Sequence, residues 1–410
     1  MSAPVVVIGA ELDGLLAALR LRELGHPAML VARSAGSLHY AAGGVHVLGS
    51  VVNGSGRHPV ATPMTDMAQL DARHPYALAG AERTRSAIDW AAGSMLARCG
   101  IPANAPQGRN ATAITPAGLK QPVFMPTENQ ATFEKIEGRR VAVVRFEGHR
   151  DLPAGLLLAA LRDVGIDVQP VTVPSPSTNC DNLGIARGFD RQVDPASWFA
   201  SMAAQMPAGI EVALFPAVLG LERHAEIVAA ASAALGATVL EVPTLPPSVP
   251  GMRWARRLDS DLTDSGCVFR RGARIVAADR DGDRIRAVID ENGRRIETAA
   301  VILATGGVLM GGLDVEADGS IRETALGLEV KQANPLTAGS PTGMLAALHG
   351  AGIETDSSLR PSRNGAASLR NLFVTGRSLA HWHPAEEISA EGVSIVTGWL
   401  AAESAHEGMH

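Results

Sequence analysis

The segment Pro4-Val5-Val6-Val7-Ile8-Gly9-Ala10-Glu11-Leu12-Asp13-Gly14 decides the fold class of this chain. Its β-branched first half is typical of a central parallel strand that is buried on both faces. Leucines at helical spacing follow, and residues 28–32 (AMLVA) predict a second strand. Because a strand, a glycine turn, a helix and a strand form a βαβ unit, the sequence predicts an α/β protein with a Rossmann-like, doubly wound parallel sheet.

The turn after the first strand has the spacing of a dinucleotide-binding loop, with one departure. In the pattern G-x-G-x-x-G the second glycine lets the backbone approach a pyrophosphate, while the first and third serve the turn and the helix packing. Gly9 and Gly14 fill the first and third positions, but Glu11 stands at the second. A carboxylate there brings bulk and like charge to the helix N-terminus that would bind the diphosphate. A doubly wound core without a nucleotide is therefore an equal alternative at this point.

Two other segments are candidate cofactor loops. Residues 41–44 (AAGG) permit an extended backbone against a flat ring through Gly43 and Gly44, although a plain surface loop is the simpler interpretation of this segment alone. Ala304-Thr305-Gly306-Gly307 ends a buried strand, where glycines suit either a close cofactor or a simple turn. Arg33 ends the second predicted strand, in place of the acid that binds a ribose diol, and is a candidate to neutralise a phosphate.

Composition limits the possible classes of function. Hydrophobic residues make up 46% and charged residues 19%, which is typical of a globular chain. The net charge of -6 and the 4% aromatic content argue against nucleic acid as a partner. Cys99, Cys180 and Cys267 lie far apart, and His381-Trp382-His383 lacks a third ligand, so we expect no metal site and assign these three residues a docking or surface role.

No apolar run approaches the ~20 residues that span a bilayer, and no basic leader precedes the first strand. We therefore expect a cytoplasmic chain without direct membrane insertion. Any attachment at the inner membrane face would come through a partner.

A second α/β unit begins near residue 140. Residues 141–146 and 166–173 predict strands, and residues 152–164 between them predict a helix. Further along, Asp281-Gly282-Asp283 and Asn292-Gly293 predict hairpin turns.

The length of 410 residues is too great for one ordinary core. We predict a discontinuous flavin/dinucleotide-binding domain of the FAD/NAD(P) type at about residues 1–130 and 255–410, with soft limits. An inserted α/β middle domain is predicted at about residues 135–250.

Several segments outside the dinucleotide turn carry a family resemblance. The most specific is the proline-rich run Pro243-Thr244-Leu245-Pro246-Pro247-Ser248-Val249-Pro250-Gly251-Met252-Arg253. Leu359-Arg360-Pro361-Ser362, Ser37-Leu38-His39-Tyr40 and Asn371-Leu372-Phe373-Val374-Thr375-Gly376 add to it. On these residues the chain resembles, nearly end to end, the B-subunit family of anaerobic glycerol-3-phosphate dehydrogenase.

The resemblance implies a flavin-binding subunit that uses FMN, or FAD, and works in a complex. Its implied partners are a larger catalytic FAD subunit and a membrane-associated iron–sulfur subunit. Together they oxidise glycerol 3-phosphate to dihydroxyacetone phosphate and pass electrons to quinone. No catalytic residue is assigned here, since the larger subunit is expected to bind the substrate. The residues predicted to contact the cofactor are Gly9, Glu11, Gly14, Arg33, Gly43, Gly44, Thr305, Gly306, Gly376 and Gly392.

Two departures from the family pattern leave the cofactor open. The family has glycine where Glu11 stands, and its glycine-rich loop before the closing helix is replaced by residues 383–392, with Ile388 and Glu391 and only Gly392 surviving. One interpretation is a non-catalytic scaffold that keeps the fold and has lost flavin. The other is that both carboxylates point outward and FMN binds. A stand-alone oxidoreductase of the fumarate reductase kind is a third, weaker alternative.

Overall fold

The computed structural model describes residues 3–53, 56–102, 108–332, 348, 350–363, 366–367 and 369–409. The chain divides into two compact units. The first unit comprises Met1–Ser37, His46–Met95 and Leu258–His410, and the second comprises Leu38–Val45 and Leu96–Arg257. The predicted domain limits stay predictions.

Strands and helices alternate at the start of the chain and in residues 140–264, whereas strands follow one another over residues 268–323. The strands are β1 (Val5–Ile8), β2 (Ala28–Ala32), β3 (Ser50–Asn53), β4 (Gly56–Pro59), β5 (Ala111–Ile114), β6 (Lys120–Val123), β7 (Arg140–Phe146), β8 (Asp167–Val173), β9 (Val212–Pro216), β10 (Thr238–Val242), β11 (Val268–Arg271), β12 (Ile275–Asp281), β13 (Arg284–Asp290), β14 (Arg295–Glu297), β15 (Ala300–Leu303), β16 (Leu313–Val315), β17 (Ile321–Glu323), β18 (Ser362–Arg363), β19 (Ala366–Ala367) and β20 (Leu372–Val374). The α-helices are α1 (Leu12–Glu23), α2 (Pro63–Asp66), α3 (Pro75–Ala79), α4 (Ala81–Ala91), α5 (Phe133–Ile136), α6 (Ala154–Asp163), α7 (Asn182–Asp190), α8 (Pro195–Ala203), α9 (His224–Leu235), α10 (Val249–Asp264), α11 (Pro384–Glu387) and α12 (Ala390–Glu407).

The first unit is organised around a five-stranded parallel sheet in the order β11-β2-β1-β15-β20. The apolar strands β1 and β15 are buried along their whole length. The chain continues from β1 to β2 on one side and from β15 to β20 on the other, so the strand order reverses between β1 and β15. The carboxyl ends of strands at such a reversal form the ligand crevice of open α/β sheets. The predicted doubly wound parallel sheet is confirmed.

The closing helix α12 packs against α1. A Cβ atom at Gly398 would lie 3.0 Å from the Asp13 Cα, so glycine allows the two helix backbones to approach closely. Among the residues that the structure describes, no helix is both long and apolar enough to cross a bilayer.

The second unit contains a four-stranded parallel sheet in the order β10-β9-β7-β8. Strands β7 and β8 and helix α6 confirm the predicted second α/β unit, with limits that shift by one or two residues. Phe146 of β7 and Phe215 of β9 pack with Phe189 of α7 and Phe199 of α8, and neighbouring ring centroids lie 5.5–6.1 Å apart. This unit therefore has an aromatic core of its own.

A buried asparagine joins a small antiparallel sheet to the main sheet of the first unit. Strands β12, β13 and β14 form that small sheet, and the predicted turn at Gly282 connects β12 to β13. Asn371, which is 5% exposed, accepts a hydrogen bond from the Ile285 amide at 2.8 Å and donates to the Ile285 and Ala299 carbonyls. Its amide thus forms three hydrogen bonds to backbone groups, which link β13 to the segment before β15.

We expect Asn371→Ala to lower the free energy of unfolding by roughly 2–4 kcal/mol, because each buried polar group left without a partner costs about 1–3 kcal/mol. Urea denaturation measures this change. The exposed Asn292→Ala variant serves as the control and should stay within about 0.5 kcal/mol of the parent. Equal effects of the two substitutions would contradict the assigned role of Asn371.

Candidate functional site

A cavity of about 70 Å³ lies at the carboxyl ends of β1, β2 and β15, beside the strand-order reversal. Four of the predicted contact residues line it, namely Gly9, Glu11, Arg33 and Thr305. Typical ligand pockets measure about 300–1,000 Å³, so this cavity is small for a dinucleotide.

Gly9 and Gly14 are needed for packing with or without a ligand. Gly9 has a φ of +112°, and a Cβ there would overlap the carbonyl oxygen of Ala304, the residue that follows β15. A Cβ at Gly14 would lie 2.7 Å from the Gly9 carbonyl oxygen, closer than real Cβ atoms come. The first and third glycines of the motif therefore hold α1 against the sheet.

Glu11 points into the fold. It is 5% exposed, and its carboxylate accepts hydrogen bonds from the Ser37 amide at 2.8 Å and from the Ser37 hydroxyl. A Cβ at Gly36 would lie 3.0 Å from Glu11 Oε1, and one at Gly306 would lie 2.9 Å from Glu11 Cγ. We name Gly36 and Gly306 the glycine cradle, since the Glu11 side chain lies between them.

The loop before the closing helix is filled with side chains. Ile388 adopts the left-handed conformation, with φ +53°, and a Cβ at Gly49 would lie 2.8 Å from the Ile388 Cβ. The Gly392 amide donates to the His46 carbonyl at 3.0 Å, and a Cβ at Gly392 would overlap the Tyr76 hydroxyl. The surviving glycine of this loop therefore packs on the protein itself.

Two carboxylate–imidazole pairs connect this loop to histidines from earlier in the chain. Glu391 lies 3.0 Å from Nδ1 of His46, and Glu387 lies 3.0 Å from Nε2 of His74. Burial alone would raise the pKa of Glu391, but the adjacent His46 imidazole holds that pKa below its usual value. Like Glu11, Glu391 has a partner inside the fold and is not directed outward.

Gly43 and Gly44 belong to the second unit, whereas every lining residue of the cavity belongs to the first. A Cβ at Gly43 would lie 2.7 Å from the Pro250 Cβ, and one at Gly44 would overlap the Gln130 side chain. These glycines therefore pack against their own unit, and in part against the specific proline-rich run.

Residues 4–393 match the sequence model of the family described as FAD binding domain. This chain belongs to the FAD binding domain family. It is 31% identical to the B subunit of a probable anaerobic glycerol-3-phosphate dehydrogenase of Halobacterium salinarum, over 100% of this chain and 99% of that protein. It is 28% identical to the B subunit of the anaerobic glycerol-3-phosphate dehydrogenase of Yersinia enterocolitica, over 98% of both chains. The resemblance drawn from the sequence is confirmed.

Solved structures of other proteins also align with this member of the FAD binding domain family. A flavocytochrome c3 fumarate reductase in its open conformation covers 99% of this chain and 78% of its own, with a TM-score of 0.44 and 11% identity. A 3-ketosteroid delta1-dehydrogenase from Sterolibacterium denitrificans covers 98% and 99%, with a TM-score of 0.43 and 11% identity. Family and relatives together support the coarser prediction of a flavoprotein dehydrogenase subunit.

Some residues around the cavity carried no clear sequence signal. Gly36 follows the second strand and was signalled only by being a glycine in a loop. Arg274 lines the cavity because β11, far along the chain, pairs with β2. Trp382, in contrast, was expected in a surface segment, but it is 1% exposed, so that expectation is wrong for its side chain.

Asp13 is a buried acid that was not predicted as a functional residue. It is 2% exposed and accepts a 2.6 Å hydrogen bond from the Thr375 hydroxyl. Gly376, a predicted cofactor contact, packs on it, since a Cβ at Gly376 would lie 2.6 Å from the carboxyl carbon. Burial, with a smaller contribution from the charge of Glu11, raises the pKa of Asp13 from 3.8 to about 7.

We expect Asp13 to contribute a decrease in the free energy of unfolding as the pH rises from about 4 to about 7, because over this range native Asp13 keeps a proton that the unfolded chain releases. The limiting slope from this group is about 1.4 kcal/mol per pH unit. Asp13→Asn should remove this contribution, so the variant gains stability over the parent between pH 5 and pH 8. Urea denaturation at both pH values measures the difference, and the exposed Asp163→Asn variant is the control. If the difference in free energy of unfolding between Asp13→Asn and the parent is the same at both pH values, the raised pKa of Asp13 is refuted.

Proposed function

We propose that this chain is the B subunit of an anaerobic glycerol-3-phosphate dehydrogenase complex. The complex is a flavin-dependent glycerol-3-phosphate:quinone oxidoreductase that converts glycerol 3-phosphate to dihydroxyacetone phosphate. The observation that carries the proposal is the identity of 31% along the entire chain and 99% of a relative of that name. Likeness at both ends and in the middle is what a subunit of the same architecture requires, and the shared dinucleotide fold alone would not produce it.

The proposed partners are a larger catalytic FAD subunit and a membrane-associated iron–sulfur subunit. The chain has 3 cysteines in all, whereas the common iron–sulfur clusters take four thiolates. We therefore assign the clusters, and the passage of electrons to quinone, to another chain. Peripheral placement at the inner membrane face through these partners belongs to the same proposal.

The second candidate function is a non-catalytic scaffold in the same complex. The buried carboxylate of Glu11 favours it, since that side chain lies where the dinucleotide motif has its second glycine. The two candidates differ in one measurable property, the flavin carried by this chain.

Co-expression with the catalytic and iron–sulfur subunits of the same organism tests the proposed function. A tag on this chain should recover all three proteins, and the purified complex should reduce a quinone analogue with glycerol 3-phosphate. Glycerol, which lacks the phosphate, is the control substrate and should give no reduction. Preparations that omit this chain should lose most of the activity. Recovery of this chain alone, or full activity without it, would overturn the proposal.

A further inference from the structure

We infer that Glu11 takes the place of a nucleotide diphosphate in this chain, which keeps the fold of the FAD binding domain family without binding FAD or FMN. The inference rests on the proposed function for the place of this chain in the complex, and it favours the second candidate, a subunit without a flavin of its own. It follows from four observations on the first unit.

The first observation is the position of the Glu11 carboxylate. Glu11 is the N-cap of α1, the end of the helix that attracts an anion in dinucleotide-binding folds. Its side chain lies in the glycine cradle and accepts hydrogen bonds from both the amide and the hydroxyl of Ser37. The Glu11 side chain makes no hydrogen bond to the amides of α1, so Ser37 holds an anion of the protein itself beside this end of the helix.

The second observation is charge. Glu11 is 5% exposed, and a diphosphate placed beside it would set like charges together with little water between them. Such like-charge contacts cost several kcal/mol. The cations that line the cavity, Arg33 and Arg274, are both exposed. Because solvent screens them, they compensate only a small part of the repulsion.

The third observation is space. The cavity at the carboxyl ends of β1, β2 and β15 has a volume of about 70 Å³. Pockets for cofactors measure about 300–1,000 Å³. Met310 contributes to this closure, since a Cβ at Gly306 would lie 2.8 Å from the Met310 Cβ.

The fourth observation concerns the loop before the closing helix, where the family pattern has glycines. Here Ile388 packs on Gly49, and the Glu387 carboxylate accepts hydrogen bonds from the His383 amide and the Ser389 hydroxyl at 3.0 and 3.2 Å. The backbone of this loop is therefore covered by side chains that are bonded to each other. The residues do not fit a flavin at either loop.

Flavin release and ADP binding test the inference on the full-length purified chain. The parent protein should release neither FAD nor FMN on acid denaturation, and ADP should not raise its melting temperature. Glu11→Gly should remove a negative charge and enlarge the cavity beside the helix N-terminus, so it should bind ADP more tightly than the parent by on the order of tenfold or more. Glu11→Gln keeps the bulk and removes the charge, so its affinity for ADP should fall between the two. This variant also tests the inference if Glu11→Gly fails to fold.

Glu407→Gly, at an exposed position near the end of α12, is the matched control for loss of one negative charge and should behave as the parent. Stoichiometric flavin on the parent chain would overturn the inference, and so would ADP affinity that is the same for the parent and both Glu11 variants. Failure of the proposed function would be seen in a different experiment, the co-expression, in which the partner subunits would not be recovered with this chain.

Discussion

The turn at Gly9 meets the Ala304 carbonyl so closely that no side chain fits between them, and the first unit depends on this contact. The contact lies where β15 pairs with β1, and it places the N-terminus of α1 at the carboxyl ends of these strands, where the strand order reverses. Gly14 extends the constraint to the body of α1, and Gly398 extends it to α12. A chain that keeps these glycines keeps the architecture, whether or not a nucleotide is present. In this chain the architecture therefore rests on contacts between protein atoms.

The carboxylates of Glu11 and Glu391, in the two candidate cofactor loops, both have hydrogen-bond partners in the fold. A buried charge without a partner costs far more than a fold of marginal stability can bear. Glu11 has the Ser37 donors, and Glu391 has the His46 imidazole. Each of these two acids is thus paired with polar groups that are close to it in space and distant in sequence. The two loops are therefore held in place by the rest of the folded chain. Asp13 differs, because burial raises its pKa by more than the hydrogen bonds from the Thr375 hydroxyl and the backbone lower it.

Much of the fold followed from local pattern. The apolar run in β1 and the residue 28–32 segment predicted strands that the structure contains within one residue, since buried parallel strands are read from continuous apolar runs. The glycines of the candidate site were harder to interpret. Gly43, Gly44 and Gly392 are required by packing against neighbouring protein atoms. The sequence alone does not distinguish a glycine that is needed for packing from one that contacts a ligand.

The sequence by itself determined the fold class, the family and the two unusual acids, because these depend on the identity and spacing of neighbouring residues. Only the tertiary structure decided where those acids point. Glu11 lies between Gly36 and Gly306, which follow it along the chain at very different distances. The direction of a side chain is set by the groups around it in space, and these come from β2, β15 and the loops after them. That assembly exists only in the folded chain.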